Sequence, residues 1–204
     1  MPADSRIPSA SMRWENLFDD LESQLERELS ADDIDLEMED ERLRLGRLGL
    51  RDRVVSAKSG SATVRTTLRG GRILDLRPLA FGRDWFSADI ISVGSRPRQC
   101  IVPVSAIDSL SLTPQQVAGS LRRPTGADAG ALSDRLGLAF VLRDLARRRA
   151  PVTVMTGDPD RHGTIDRVGR DHVDLALHPA DEPRRRVAEI RVIPFDRLGC
   201  LLLE

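Results

Sequence analysis

The feature that most limits what this chain can fold into is an apolar rhythm written twice around one proline. IVPVSAIDSLSL runs from Ile101 to Leu112, and VIPFDRLGCLLL runs from Val192 to Leu203. Two further matches precede these in the same order. Arg47-Leu48-Gly49-Leu50 recurs as Arg135-Leu136-Gly137-Leu138, and Gly82-Arg83-Asp84 recurs as Gly169-Arg170-Asp171, at offsets of 88 and 87 against 91 for the proline segments. Nearly constant spacing of ordered matches predicts an internal duplication, with the extra residues absorbed in the 179–187 loop.

Within the first copy, residues 62–112 show short apolar runs broken by Gly70-Gly71, by Gly82-Arg83-Asp84 and by the stretch 94–97. That is the pattern of a meander of five short strands, with the glycine pair making a tight hairpin. A proline at a strand's end interrupts no ladder bond, so Pro103 and Pro194 mark the exit from each fourth strand. Cys100–Pro103 then reads as strand four, Ser105-Ala106-Ile107 as a corner and Ser109–Leu112 as strand five. Phe195–Leu198 makes the same corner in the second copy, and Ile107 and Leu198 are expected to turn inward as plugs.

Residues 113–131 contain three glycines and two prolines and read as a linker that opens on a helical turn at Pro114. SDRLGLAFVLRDLARRR follows, with Ser133 as the expected N-cap and Leu138, Val141, Leu142 and Leu145 as an apolar stripe. Arg147, Arg148 and Arg149 stand at its C-terminal end, where the helix dipole favours cations. From Pro151 the pattern returns to strands.

The first fifty residues differ in kind. Trp14, Leu17, Phe18, Leu21, Leu25 and Leu29 fall at spacings of three and four, the signature of one apolar helical stripe, with Ser11 as N-cap. A second helix is expected from Ser30, carrying the sparser stripe Ile34, Met38, Leu45 and Leu48. Residues 1–50 hold 14 acidic and 6 basic side chains, whereas 51–204 hold 18 and 25. The net charge of −1 therefore conceals an acidic leader and a basic body. The predicted organisation is an acidic helical leader over 1–41, a helix-plus-barrel module over 42–112, a linker over 113–131 and a second module over 132–204.

A helix followed by five short, bent strands whose last two meet at a one-turn corner resembles the Sm/Hfq-like superfamily of SH3-like barrels. The resemblance covers residues 62–112 and 151–203 and is carried by the strand count and the VPVSAIDSL corner. It implies an α+β fold of tandem duplicated helix plus five-stranded Sm/SH3-like barrel modules behind an N-terminal acidic amphipathic helix. RNA-binding members carry a lysine-histidine pair at this corner, where this chain has Ser105-Ala106 and Asp196-Arg197, so those contacts do not transfer. The whole chain, with its WENLFDDLESQL opening, also resembles a family of small proteins from high-G+C bacteria, some labelled Fis-type transcriptional regulators. One lysine, Lys58, among 31 basic residues fits such a genome. No helix-turn-helix pair is visible in the sequence.

Chemistry is sparse. Cys100 and Cys200 stand far apart in apolar strands and read as small buried hydrophobes. His162, His172 and His178 match no metal-ligand spacing and read as strand-edge residues. No serine sits in a nucleophile elbow, and the glycines fit no phosphate-cradling pattern. No catalytic residue, metal ligand or cofactor is predicted. Arg122, Arg123, Arg147, Arg148, Arg149, Arg184, Arg185 and Arg186 are the candidate nucleic-acid contacts, since arginine suits phosphate. Aromatic residues number seven, and Trp14, Phe18, Phe86, Phe140 and Phe195 are expected in packing, which leaves little for base stacking.

The sequence thus points to a non-enzymatic macromolecular adaptor, with Trp14, Leu17, Phe18 and Leu21 as its partner-binding helix face. The rival expectation is an Sm-like binder of RNA or DNA whose acidic leader modulates the basic barrels. The start of the chain lacks the basic and apolar character of a signal peptide, and no apolar run would span a membrane, so a cytoplasmic protein is expected. A protein partner is anticipated, and barrel edges leave open either a pseudo-symmetric monomer or a homodimer.

Overall fold

A computed structural model describes residues 10–57, 63–92, 96–122, 132–157, 159–179, 187 and 189–204, with side chains described throughout except at 10–17, 26–32 and 132–133. The chain forms two compact units, Met1–Leu48 and Gly49–Glu204. In the first, α1 (Ala10–Gly46) is one continuous helix of 37 residues, about 55 Å long at 1.5 Å per residue. Two helices were expected here. No glycine or proline interrupts residues 10–45, and serine or aspartate within a helix costs only tenths of a kcal/mol each, so Ser30 and Asp32 do not break it.

The second unit is α+β. Its helices are α2 (Leu50–Ala57), α3 (Pro114–Ser120) and α4 (Leu138–Arg148). The strands of the first five-strand set are β1 (Val64–Leu68), β2 (Ile73–Phe81), β3 (Trp85–Ile90), β4 (Arg98–Pro103) and β5 (Ile107–Ser111). Those of the second are β6 (Pro151–Met155), β7 (Arg161–Val168), β8 (His172–Leu177), β9 (Glu189–Pro194) and β10 (Cys200–Leu203). Among the described residues they make one antiparallel sheet in the order β5-β1-β2-β3-β4-β10-β6-β7-β8-β9. The sheet is open, with β5 and β9 as its edges.

Each set of five follows the same internal order, fifth-first-second-third-fourth, and local details match. The β2–β3 ladder shifts register between Pro78 and Ala80, and the β7–β8 ladder shifts between Ile165 and Arg167. Gly82 N–H donates to the Trp85 carbonyl as Gly169 does to that of His172, at 2.8 and 2.9 Å. Val104 N–H donates to the Asp84 carbonyl as Phe195 does to that of Asp171, at 2.9 and 2.7 Å. Each fourth strand leaves through its proline into a one-turn 3-10 corner, Val104–Ala106 or Phe195–Arg197. The β1–β2 hairpin turns on Gly70 and Gly71, both at positive φ, where a side chain would clash with the backbone.

The linker's helical turn is a full short helix. Thr113 caps α3 through a reciprocal capping box with Gln116, and Pro114 supplies a preset φ. Gln116 also donates to the Thr63 carbonyl at 3.0 Å, tying α3 to the start of β1.

The sheet carries two cores. Leu68, Leu76, Phe86 and Val102 anchor the first, with Ile107 packed against it. Leu142, Val152, Ile165, Leu175 and Leu198 anchor the second. Side chains cross between them at the β4–β10 seam, where Leu201 pairs with Ile101 and Leu202 with Cys100. Successive residues of a strand face opposite sides. Ile101 of the first set therefore enters the second core, while Cys200 and Leu202 of the second set enter the first. Each large side chain so buried contributes about 1.5–3 kcal/mol.

Candidate interaction site

The continuous α1 changes what its apolar residues can do. Phe18, Leu21 and Leu25 lie on one side, and Leu36 and Leu43 continue that side down the helix. Nine residues separate Leu25 from Ile34, which is two and a half turns. Ile34, Met38 and Leu45 therefore lie on the opposite side. All eight side chains are exposed, Phe18 by 59% and Met38 by 66%. Between Ala10 and Gly46 stand 13 acidic and 4 basic residues, so both apolar stripes are framed by negative charge. Of the expected docking residues, Phe18 and Leu21 are exposed, and the side chains of Trp14 and Leu17 lie outside the described residues.

In the sheet unit, the two sets lock through a second contact besides the seam. The β2–β3 turn, Gly82–Trp85, receives the start of α4. Asp84 accepts a hydrogen bond from Leu138 N–H at 2.7 Å, capping a helix whose own N-cap, Gly137, has no side chain to do so. Arg83 N–H and Trp85 Nε1–H both donate to the Leu136 carbonyl, at 3.0 and 2.9 Å. Arg51 donates to the Gly82 carbonyl and to Asp134, each at 2.7 Å. Trp85 itself is buried in the second core. The Leu136-Gly137-Leu138 of the repeated tetrapeptide is thus held by the Gly-Arg-Asp of the repeated tripeptide.

The counterparts of both contacts are open. In the second set, Gly169-Arg170-Asp171 is followed by His172, and the Asp171 side chain is 84% exposed. Asp171 bonds to His172 Nδ1 at 2.8 Å, and this bond holds its carboxyl below the usual carboxylate range. In the first set, Leu48-Gly49-Leu50 opens α2, with Gly49 N–H held by Asp52 at 2.9 Å. Among the described residues, no strand pairs along the outer edges of β5 and β9. Ile101 in the seam is 3% exposed, whereas Val192, its counterpart at offset 91, is 61% exposed. Beside the β5 edge lies a cavity of about 610 Å³ lined by Thr63, Arg65, Asp75, Ser111 and Gln116 among others.

The corners Ser105-Ala106 and Asp196-Arg197 come together. Arg69, from the β1–β2 turn, donates to the Ser105 carbonyl at 2.8 Å and to the Asp196 carbonyl. Arg72 pairs with Asp160 at 2.8 Å beside them. These bonds tie one set to the other and engage Arg69 with backbone.

The candidate nucleic-acid contacts do not gather. Arg147 and Arg148 both pair with Asp144, one turn back on α4, and the two guanidinium groups hold that carboxyl below its ordinary range. Arg149 ends the helix in a left-handed conformation, and Arg122 is exposed after α3. Arg123 and Arg184, Arg185 and Arg186 lie outside the described residues. Phe140, expected in packing, is exposed on α4 because Leu138 and Leu142 on the opposite side occupy the core.

The histidines separate into two places. His162 Nδ1 meets Glu204 at 3.0 Å and Thr153 at 3.2 Å, and its ring stands edge-on to His178 at 5.2 Å. His172 lies apart, with Asp171. Among the described residues no group of three or more His, Cys, Asp or Glu is arranged to hold a metal ion. Cys100 and Cys200, remote in sequence, lie against each other under the seam. Their hydrogen bond and burial push the Cys200 thiol up well above its usual range. Among the described residues no helix is long and apolar enough to cross a membrane.

Comparison with known protein families, characterised proteins and solved structures returns no match.

Proposed function

We propose that this protein is a non-enzymatic, cytoplasmic adaptor that joins macromolecules, with the sheet unit as scaffold and α1 as the recruiting element. The observation that carries the reading is α1 itself, one helix with exposed apolar stripes on opposite sides, each framed by acidic residues. Such a helix suits a partner with an apolar groove and a basic rim, and two stripes suit two such partners at once. For the scaffold we propose a tandem duplication of an Sm/SH3-like barrel unit. The identical strand order, the matched register shifts and the repeated proline corner support it.

The test uses cross-linking capture with the full chain. Replacing Trp14 and Phe18 by Ala removes one partner, and replacing Ile34 and Met38 by Ala removes a different one, while the thermal transition of the sheet unit stays in place. An unchanged partner set in both variants contradicts the adaptor reading.

A second reading, a nucleic-acid-binding regulator, is favoured by the excess of 25 basic over 18 acidic residues in 51–204. It predicts that the full chain binds fluorescent single-stranded RNA or duplex DNA at about 50 mM salt and loses about a thousandfold in affinity by about 200 mM. Absence of binding at the lower salt removes it.

A further inference from the structure

We propose that copies of this chain associate head to tail, with β9 and the Gly169–His172 turn of one copy docking on β5 and the Gly49-Leu50 start of α2 of the next. The proposal rests on sheet topology and hydrogen bonding and does not depend on the adaptor reading. Inside one chain, the first set offers its fourth strand and its Gly82–Trp85 turn, and the second set answers with its fifth strand and the start of α4. These two contacts form one interface, because a rigid sheet carries both. The second set has the same pair of offering features, β9 and Gly169–His172, with no chain set against them among the described residues. The first set has the matching strand, β5, and at the start of α2 the matching Gly49-Leu50, whose neighbour Arg51 is engaged with Gly82 and Asp134 on the internal side. A surface that binds its complement once, and then presents the unused half of each at opposite ends, is built for heterologous repetition.

The internal seam fixes the register. Leu201 opposite Ile101 and Leu202 opposite Cys100 become Leu110 opposite Val192 and Ser111 opposite Arg191. On one side of the new seam, exposed Val192 meets Leu110, covering an apolar edge that otherwise faces water. On the other side, Glu189 and Arg191, an ion pair at 2.7 Å, meet the polar side chains Arg65, Ser111 and Asp75 in the lining of the cavity. Charges of both signs stand on both partners, so the polar side is complementary where the internal seam uses Cys100, Cys200 and Leu202. That substitution makes the contact between copies weaker than the one within the chain, and reversible.

At the turn, Asp171 takes the place of Asp84 and caps Leu50 N–H of the next copy, a first-turn donor with no acceptor in its own helix. His172 takes the place of Trp85 at the fourth position of the turn, beside the Gly49-Leu50 start of α2 of the next copy. Head-to-tail contacts of this kind close into a ring or run on as a filament, according to the rotation between copies.

The test is the solution mass of the full chain by light scattering behind a sizing column, at loading concentrations from about 1 to 300 μM. The expected result is a mass rising with concentration above the 22.6 kDa of one chain. Two variants localise it. Val192→Glu and Asp171→Ala alter exposed side chains, leave the thermal transition unchanged, and each weaken association on the order of tenfold, the loss of one well-placed interface contact. Phe18→Glu on α1 leaves the mass unchanged. A single-chain mass at every concentration overturns the proposal, and so does association that survives both Val192→Glu and Asp171→Ala.

Discussion

The turns Gly82–Trp85 and Gly169–His172 start with the same three residues and make the same backbone hydrogen bonds, yet they live in different surroundings. The first is a socket that holds Leu136, Gly137 and the start of α4, and its aromatic side chain is sunk in the neighbouring core. The second faces solvent, with histidine in place of tryptophan and an aspartate bonded to that histidine. The difference teaches what the sequence repeat is for. Two sets of one strand order differ in that the turn of the first is consumed inside the chain and the turn of the second is exposed.

The sharpest contrast is at the fourth position of the turn. Trp85→Ala removes a buried indole from the second core and is expected to destabilise the sheet unit by about 3–5 kcal/mol. His172→Ala, at a half-exposed position, stays within about 0.5 kcal/mol. Paired thermal or denaturant unfolding of the two variants measures the gap, and equal losses would break the comparison.

A smaller contrast follows from the first position. A Cβ on Gly82 would lie 2.0 Å from Trp85 Nε1 and 2.7 Å from the Leu136 carbonyl, both held in place. The three atoms nearest a Cβ on Gly169 all belong to the His172 ring, a half-exposed side chain held by one hydrogen bond to exposed Asp171. Gly82→Ala is therefore expected to cost about 2–3 kcal/mol and Gly169→Ala under about 1, read from the same unfolding curves. At the third position, Asp84→Ala uncaps α4 and costs about 1 kcal/mol, while Asp171→Ala leaves the melting midpoint of the dilute protein where it was.

The seam adds a pH dependence. The Cys200 thiol is held protonated in the folded chain, with its pKa raised by its hydrogen bond with Cys100 and by burial. A group whose folded pKa is raised gives stability that is complete below its unfolded pKa and is lost as pH rises past it. Stability should therefore decline above about pH 8.5, the ordinary thiol range, and Cys200→Ala should flatten that decline. Denaturant midpoints between pH 7 and 10 check it, and an unchanged slope in the variant contradicts it.

Much of the strand pattern was legible because strands announce themselves locally. The glycine pair at 70–71, the prolines at 103 and 194 and the apolar alternation between them each act within a few residues. The stripe of α4 was legible for the same reason, since Leu138, Val141, Leu142 and Leu145 share one face. What lay beyond reading was set by contacts between distant segments. Nothing near Gly82-Arg83-Asp84 says that its aspartate caps a helix more than fifty residues later, although the conjunction of Gly-Arg-Asp with a repeated Arg-Leu-Gly-Leu was a usable signal. Cys100 and Cys200 looked solitary because only the β4–β10 pairing brings them together. The break expected at Ser30 followed from a change in stripe. The helix instead runs on and carries the second stripe to its opposite side, because a helix needs no apolar continuity to continue.

On the head-to-tail proposal, the faces one set consumes are the faces the other leaves ready for binding. Amide hydrogen exchange on the full chain at about 1 and 200 μM tests it most directly. The amides of Ile107–Ser111 and of residues 189–193, in the two edge strands, are expected to slow at the higher concentration, while those of β2, β3, β7 and β8 exchange at one rate throughout. Edge strands that exchange equally fast at both concentrations would contradict it.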